Sequence, residues 1–200
     1  MFFRTTSRTS PTLLAIVATA LVVAGPAPAR AGDQEVTVPP RVQAQLLAAV
    51  ASFQTNINLG ADGAVQILVL TKEHDTDSER VAHQLTAALG DMKKIMRRLH
   101  RETIEPFRGG PALAATCRER GISVVYVAPG LGGALPEIAQ ALRGSAVLTA
   151  GAVAGFVPRG VVLGFDLVSG RAEMLFNPTQ MRALNTHFPA SIFQLMRITE

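Results

Sequence analysis

Two stretches of this chain leave little choice of architecture. "GAVQILVL" (63–70) and "ISVVYVAP" (122–129) are near-continuous runs of β-branched and apolar residues. A strand with one wet face alternates apolar and polar residues, whereas a strand covered on both faces does not alternate. Strands of the second kind need helices above and below them, which is the arrangement of an α/β domain.

The remaining segments fit that frame. Val42, Leu46, Leu47, Val50 and Phe53 fall on one helical stripe within 40–55. Over 75–90, acidic residues at the start and Gly90 at the end bracket a helix whose apolar stripe is Val81, Leu85 and Leu89. Further helices are expected over 110–121, closed by Gly121, over 134–144, closed by Gly144, and over 178–187. Strands are expected over 93–104, 145–151, 161–167 and 171–177, the last two joined through Val168, Ser169 and Gly170. The fold class is therefore α/β, with a mostly parallel central sheet flanked by helices and an antiparallel C-terminal hairpin. A final amphipathic stretch, 189–199, closes the chain.

The first 31 residues read as a signal peptide. Arg4 and Arg8 precede an apolar run, 12–25, and "ARA" (29–31) places small residues for cleavage after Ala31. The run is too short to span a bilayer, and no cysteine follows it for lipidation. The expected product is exported without a stable membrane span, to the periplasm in a Gram-negative cell, with a short leader (32–39) and a single domain (40–200). Cleavage removes Arg4, Arg8 and Arg30, leaving 16 basic and 15 acidic residues. Near-neutral charge and export both argue against a nucleic-acid partner. The densest basic run, "KKIMRRLHR" (93–101), reads either as a solvated face or as a surface for an anionic partner. Cys117 is the sole cysteine, so it is either part of the core, beside Leu113 on one helix face, or available for an intermolecular disulfide in a homodimer.

No catalytic constellation stands out. "PGLGG" (129–133) follows a buried strand and opens a helix, where doubly wound sheets place ligands. Yet Leu135 stands where the dinucleotide fingerprint needs a small residue, and no Lys-Ser or Lys-Thr pair follows for a phosphate loop. A tight turn and a small-ligand contact both remain open there. No nucleophile elbow occurs. His74 and Asp77 in "HDTD" read more readily as helix-capping residues than as metal ligands, and neither a metal nor a cofactor is expected.

The glycine-rich "VLTAGAVAGFVPRGVVLGF" (147–165) also fails as a phosphate loop, because Pro158 falls where a helix would be needed. Pro158 and Arg159 equally interrupt it as a membrane segment. It reads as a corner between two core strands, with Gly151 and Gly155 supplying backbone conformations that other residues resist.

At this point a family is suggested. "VLTAG", Phe156, "GVVLGF", "RAEMLFN" and the closing "SIFQLMRI" (191–198) resemble the C-terminal half of the YfiR-like periplasmic proteins, with Phe176-Asn177 at an apolar-Asn position and "SIFQLMRI" as the final helix. "QILVL" and Cys117 ahead of "ISVVYV" follow the same order, so the resemblance spans about 41–198. It implies a non-catalytic exported regulator, shaped like one lobe of a periplasmic binding protein. Its partner would be the periplasmic part of a membrane signalling protein, a receptor, a diguanylate cyclase or a sensor kinase, and with a cyclase it would link the envelope to cyclic-di-GMP. The intramolecular disulfides of the family's best-known regulator cannot form here. Candidate ligand- or partner-contact residues are Gly130, Gly132, Gly133, Thr149 and Gly151 at the strand ends, with Asn177 from the resemblance. A small-ligand-binding lobe and an exported hydrolase are the alternative functions.

Overall fold

The computed structural model describes residues 35–199. The expected signal peptide and the first residues of the leader lie outside that range. Seven strands form one sheet: β1 (Val65–Thr71), β2 (His100–Pro106), β3 (Ile122–Val127), β4 (Leu148–Gly151), β5 (Leu163–Val168), β6 (Arg171–Phe176) and β7 (Arg197–Ile198). Their order is β2-β1-β3-β4-β5-β6-β7. The first five strands across the sheet run parallel, β6 is antiparallel to β5, and β7 is parallel to β6. The α/β class, the mostly parallel sheet and the antiparallel hairpin are as the sequence reading has them.

β1 and β3 occupy the centre because their residues tolerate no water. Every residue of β3 is buried, and in β1 only Gln66 is half-exposed. Five helices accompany the sheet: α1 (Pro40–Ala51), α2 (Thr76–Gly90), α3 (Gly110–Arg120), α4 (Leu135–Ala141) and α5 (Pro178–Leu184) among the described residues. α2 starts where Asp75 accepts a hydrogen bond from the Ser78 amide at 3.0 Å, and Asp77 and Glu79 add negative charge to its first turn. α3 ends at Gly121, whose left-handed φ of 63° reverses the chain directly into β3.

Four details differ from the sequence reading. β2 begins at His100, not at residue 93. Ahead of it Ile95 and Arg98 bridge across Met96 and Arg97, both with positive φ (56° and 63°), so 95–98 is a tight reversal. The outward stripe of α1 is also rotated. The helix buries Gln43, Ala44, Leu47, Val50 and Ala51, while Val42 and Leu46 are half-exposed and Phe53 lies beyond the helix end, exposed. The chain from 190 to 198 is not a helix: a 3-10 segment (Ala190–Leu195) leads into β7, which satisfies backbone groups that β6 would otherwise leave open.

The corner at 147–165 holds a 3-10 helix, Ala154–Arg159, with Pro158 inside it. Neither Gly151 nor Gly155 has a positive φ; the residue with one is Gly160, at 121°. Gly151 is needed for closeness instead, since a Cβ there would sit 3.0 Å from Phe156 Cβ. A Cβ on Gly121 would collide with the Leu59 carbonyl, whereas one on Gly133 meets nothing within 4 Å. Gly121→Ala should therefore cost about 2–4 kcal/mol, from left-handed strain plus a backbone collision. Gly133→Ala should be close to neutral, and paired thermal denaturation of the two variants checks the contrast.

Candidate functional site

The candidate contact residues fall into two groups. Thr149, Gly151 and Asn177 frame the short crossing from β4 to β5. Thr149 is fully buried, and its hydroxyl accepts a hydrogen bond from the Val162 amide at 3.0 Å. The Asn177 amide Nδ2 donates to the Val157 carbonyl at 2.9 Å, and its backbone N–H donates to the Val162 carbonyl at 2.9 Å. Its Oδ1 also caps α5 by accepting from the Gln180 amide at 2.8 Å. Thr149 gives the Val162 amide its partner, and Asn177 adds a second donor to the Val157 carbonyl, which also accepts from the Gly160 amide at 3.4 Å.

Gly130, Gly132 and Gly133 lie in the turn after β3, at the point where the strand order reverses between β1 and β3. Gly130 has a φ of 83°, and a Cβ there would approach the Asp75 carboxylate to 2.7 Å and the Lys72 stem to 3.0 Å. The Lys72–Asp75 ion pair, at 3.6 Å, occupies this end of the sheet. The Gly132 carbonyl accepts from Arg159 Nη2 at 2.7 Å, tying the turn to the corner segment, and Gly133 is exposed. The structure thus brings Thr149, Gly151 and Asn177 together around the crossing and holds the glycine turn beside them through Arg159.

Cys117 sits on the inner side of α3, 5% exposed, beside a cleft of about 430 Å³ between α3 and α4. Burial, with a contribution from the Glu105 charge, pushes its thiol up to about 12. Such a thiol stays protonated and is a poor nucleophile. His74 is exposed with a φ of 58°; the capping carboxylate in "HDTD" is that of Asp75, and Asp77 pairs with Arg80 at 3.1 Å. Among the described residues no group of three His, Cys, Asp or Glu side chains is close enough to hold a metal. The basic run divides: Lys93, Lys94, Arg97 and Arg98 are exposed, while the His100 side chain is buried between Glu102 and the Met92 carbonyl (2.7 Å).

The surface that sequence reasoning missed lies at the β6–β7 end of the sheet. Leu46 of α1, Ala172 and Met174 of β6, and Leu195 and Met196 ahead of β7 line a cleft of about 430 Å³. Leu167 stands opposite Ala172 in the β5–β6 ladder and extends this face to the hairpin tip. Leu195 is 64% exposed and Leu167 46%. Arg197 anchors the short edge strand through ion pairs to Asp166 (2.5 Å) and Glu173 (3.6 Å). The signal was available: the alternation Leu163, Phe165, Leu167 continues one apolar position past the end of the core.

Because Thr149 has a paired buried hydroxyl, Thr149→Val should lower stability by about 1–3 kcal/mol by stranding the Val162 amide. Thr149→Ser should restore most of the loss, as read by chemical denaturation.

Comparison with known proteins places this geometry. Among solved structures the chain is similar to an ABC domain in complex with L-Trp from Streptococcus pneumonia. The TM-score is 0.57 at 10% identity, covering 80% of this chain and 60% of that one. It is similar also to a conserved domain protein from Vibrio cholerae (TM-score 0.55, 14% identity, 81% and 60% covered). A third is a ligand-free, open substrate binding protein with adhesive properties from Clostridium difficile (TM-score 0.51, 13% identity, 78% and 58%). The chain spans about three fifths of each, so the likeness is of fold: a lobe of the kind found in substrate-binding proteins. No curated protein matches the chain. A family model described as YfiR/HmsC-like matches residues 40–197, from the first residue of α1 to the first of β7, and the chain belongs to that family.

Proposed function

We propose that this protein is an exported, non-catalytic regulator that binds the periplasmic part of a membrane signalling protein, such as a diguanylate cyclase or a sensor kinase. The observation that carries the reading is the apolar surface formed by Leu46, Leu167, Ala172, Met174, Leu195 and Met196. Exposed leucines gathered around a concave surface are a common mark of a protein interface. Membership of the YfiR/HmsC-like family supports a periplasmic regulatory role. No helix among the described residues is long and apolar enough to cross a membrane, so a membrane partner would be met through a surface such as this one.

The composition of the patch favours binding over chemistry. Its centre is made of aliphatic and thioether side chains, and Glu173, Gln194 and Arg197 are the polar residues that line the same cleft. Arg197 and Glu173 supply the polar rim that commonly surrounds an apolar interface centre. In the alternative reading, a small-ligand lobe, Gly130 at the switch point and the strand-end residues Thr149 and Gly151 would meet the ligand. That reading expects a thermal shift with an anion, amino acid or nucleotide, and a flat screen counts against it.

In envelope cross-linking with the full chain, Leu167→Glu and Leu195→Glu together should reduce capture of an inner-membrane protein by about tenfold or more, with the melting temperature unchanged. Undiminished capture removes the patch as the docking surface. Deletion of the protein should also alter cyclic-di-GMP output, and an unchanged level removes the cyclase as the partner class.

A further inference from the structure

The opposite end of the sheet carries a second surface, independent of the first. Among the described residues β2 is an edge strand, with β1 on one side and no strand on the other. The Val65 amide donates to the Leu99 carbonyl and the Phe107 amide donates to the Thr71 carbonyl, so the ladder extends one residue past each end of β2. A parallel ladder uses alternate residues. Leu99, Arg101, Thr103, Glu105 and Phe107 therefore turn their backbone groups toward β1. His100, Glu102 and Ile104 turn theirs outward, available to another strand.

The side chains of this edge read the same way in both directions. Centre a two-fold axis on Thr103 and lay a second β2 antiparallel beside the first. Thr103 then faces Thr103, Arg101 faces Glu105 of the second copy, and Leu99 faces its Phe107. Those residues alternate onto one sheet face, so every one of these pairs is a same-face cross-strand neighbour. The outward backbone groups match as well, since Glu102 and Ile104 of one copy exchange hydrogen bonds with Ile104 and Glu102 of the other. At each end His100 can donate to the Pro106 carbonyl. Moving the centre to residue 101, 102 or 105 would instead set like charges opposite each other, which is unfavourable.

Leu99 gives the pairing its apolar component. It is 68% exposed, the most exposed of the large apolar side chains described. Phe107 lines a cleft of about 370 Å³ floored by Leu68 and Leu70 and walled by Leu113 of α3. In this register Leu99 of the second copy lies at the mouth of that cleft. Within one chain Arg101 already pairs with Asp62 at 2.8 Å and Glu105 with Arg120 at 2.5 Å. Both ion pairs are at the surface and are worth little by themselves, leaving the side chains free to share a second partner.

We propose that the protein associates with a second copy of itself through antiparallel β2–β2 pairing centred on Thr103. The two sheets then continue as one across the axis. The register can be tested directly, because the residue on the axis of a non-hydrogen-bonded antiparallel pair lies within disulfide reach of its own copy. Under mild oxidation Thr103→Cys should form a symmetric, reducible cross-linked dimer, whereas Arg101→Cys, which faces residue 105, should not. Sedimentation of the full chain should show a dimer that Arg101→Glu or Glu105→Arg alone weakens by about tenfold or more. Arg101→Glu combined with Glu105→Arg should recover the dimer, although both intrachain ion pairs stay broken in that variant. A chain that remains monomeric at about 100 μM overturns the proposal, as does equal cross-linking of the two cysteine variants. A double variant no better than its single parents also overturns it, since the loss would then lie within the chain.

Discussion

One buried amide holds the architecture together. Gln43, fully buried in α1, donates from Nε2 to the Val38 carbonyl at 2.8 Å and to the Ala152 carbonyl at 3.1 Å. Its Oε1 accepts from the Tyr126 hydroxyl at 2.7 Å. A single side chain thereby joins the segment before α1, the C-terminal end of β3 and the start of the crossing after β4. Burial pushes the Tyr126 phenol far above its ordinary range, so it remains a donor across the physiological pH range. A buried polar group left unpaired costs more than a formed hydrogen bond returns, so this arrangement admits few alternatives. It also fixes the rotation of α1. With Gln43 inward, Leu46 is turned toward the β6 edge, and the apolar surface there follows.

The change from parallel to antiparallel pairing is the second constraint. Adjacent parallel strands usually need a helical crossover of a dozen or more residues. Here β4 and β5 are joined by the short run 152–162, and their ladder has a single register pair, Ala150 with Leu163. So brief a connection leaves backbone groups without ladder partners. From inside the core Thr149 supplies a partner to the Val162 amide and Asn177 a second donor to the Val157 carbonyl. The polar residues at the strand ends, which suggest contact with a ligand when read in sequence, are engaged with the chain's own backbone.

What could be read in advance follows from the range of the interaction concerned. β1 and β3 were legible because burial on both faces removes alternation, a local signal. The β5–β6 hairpin was legible for the same reason, through its Ser169-Gly170 turn with φ values of 50° and 77°. The rotation of α1 was not, because it depends on Gln43 meeting Tyr126, 83 positions away in the chain. Apolarity alone favoured the stripe through Val42, Leu46 and Phe53. The fate of 190–198 was hidden similarly, since amphipathic spacing cannot show that β6 has an open edge nearby. Gly151 was identified as necessary, but for the wrong reason: what matters is the approach of Phe156, which only tertiary packing reveals. Of the candidate site, the strand-end residues were visible in sequence. The β6–β7 surface was not, because it is assembled from α1, the hairpin and the tail.

The strand order has a geometric consequence. β2 and β7 are the two outer strands of a seven-stranded sheet, six strand spacings apart, or roughly 30 Å at about 4.8 Å each. A body seated at one margin does not obstruct the other. Two chains joined edge to edge at β2 would carry their apolar clefts at the far ends of a continuous sheet, facing away from each other. Such an assembly would be bivalent: two copies of a partner could sit at a fixed separation, and occupancy of the first would raise the effective concentration seen by the second. A small domain could in this way set the spacing of the proteins it binds.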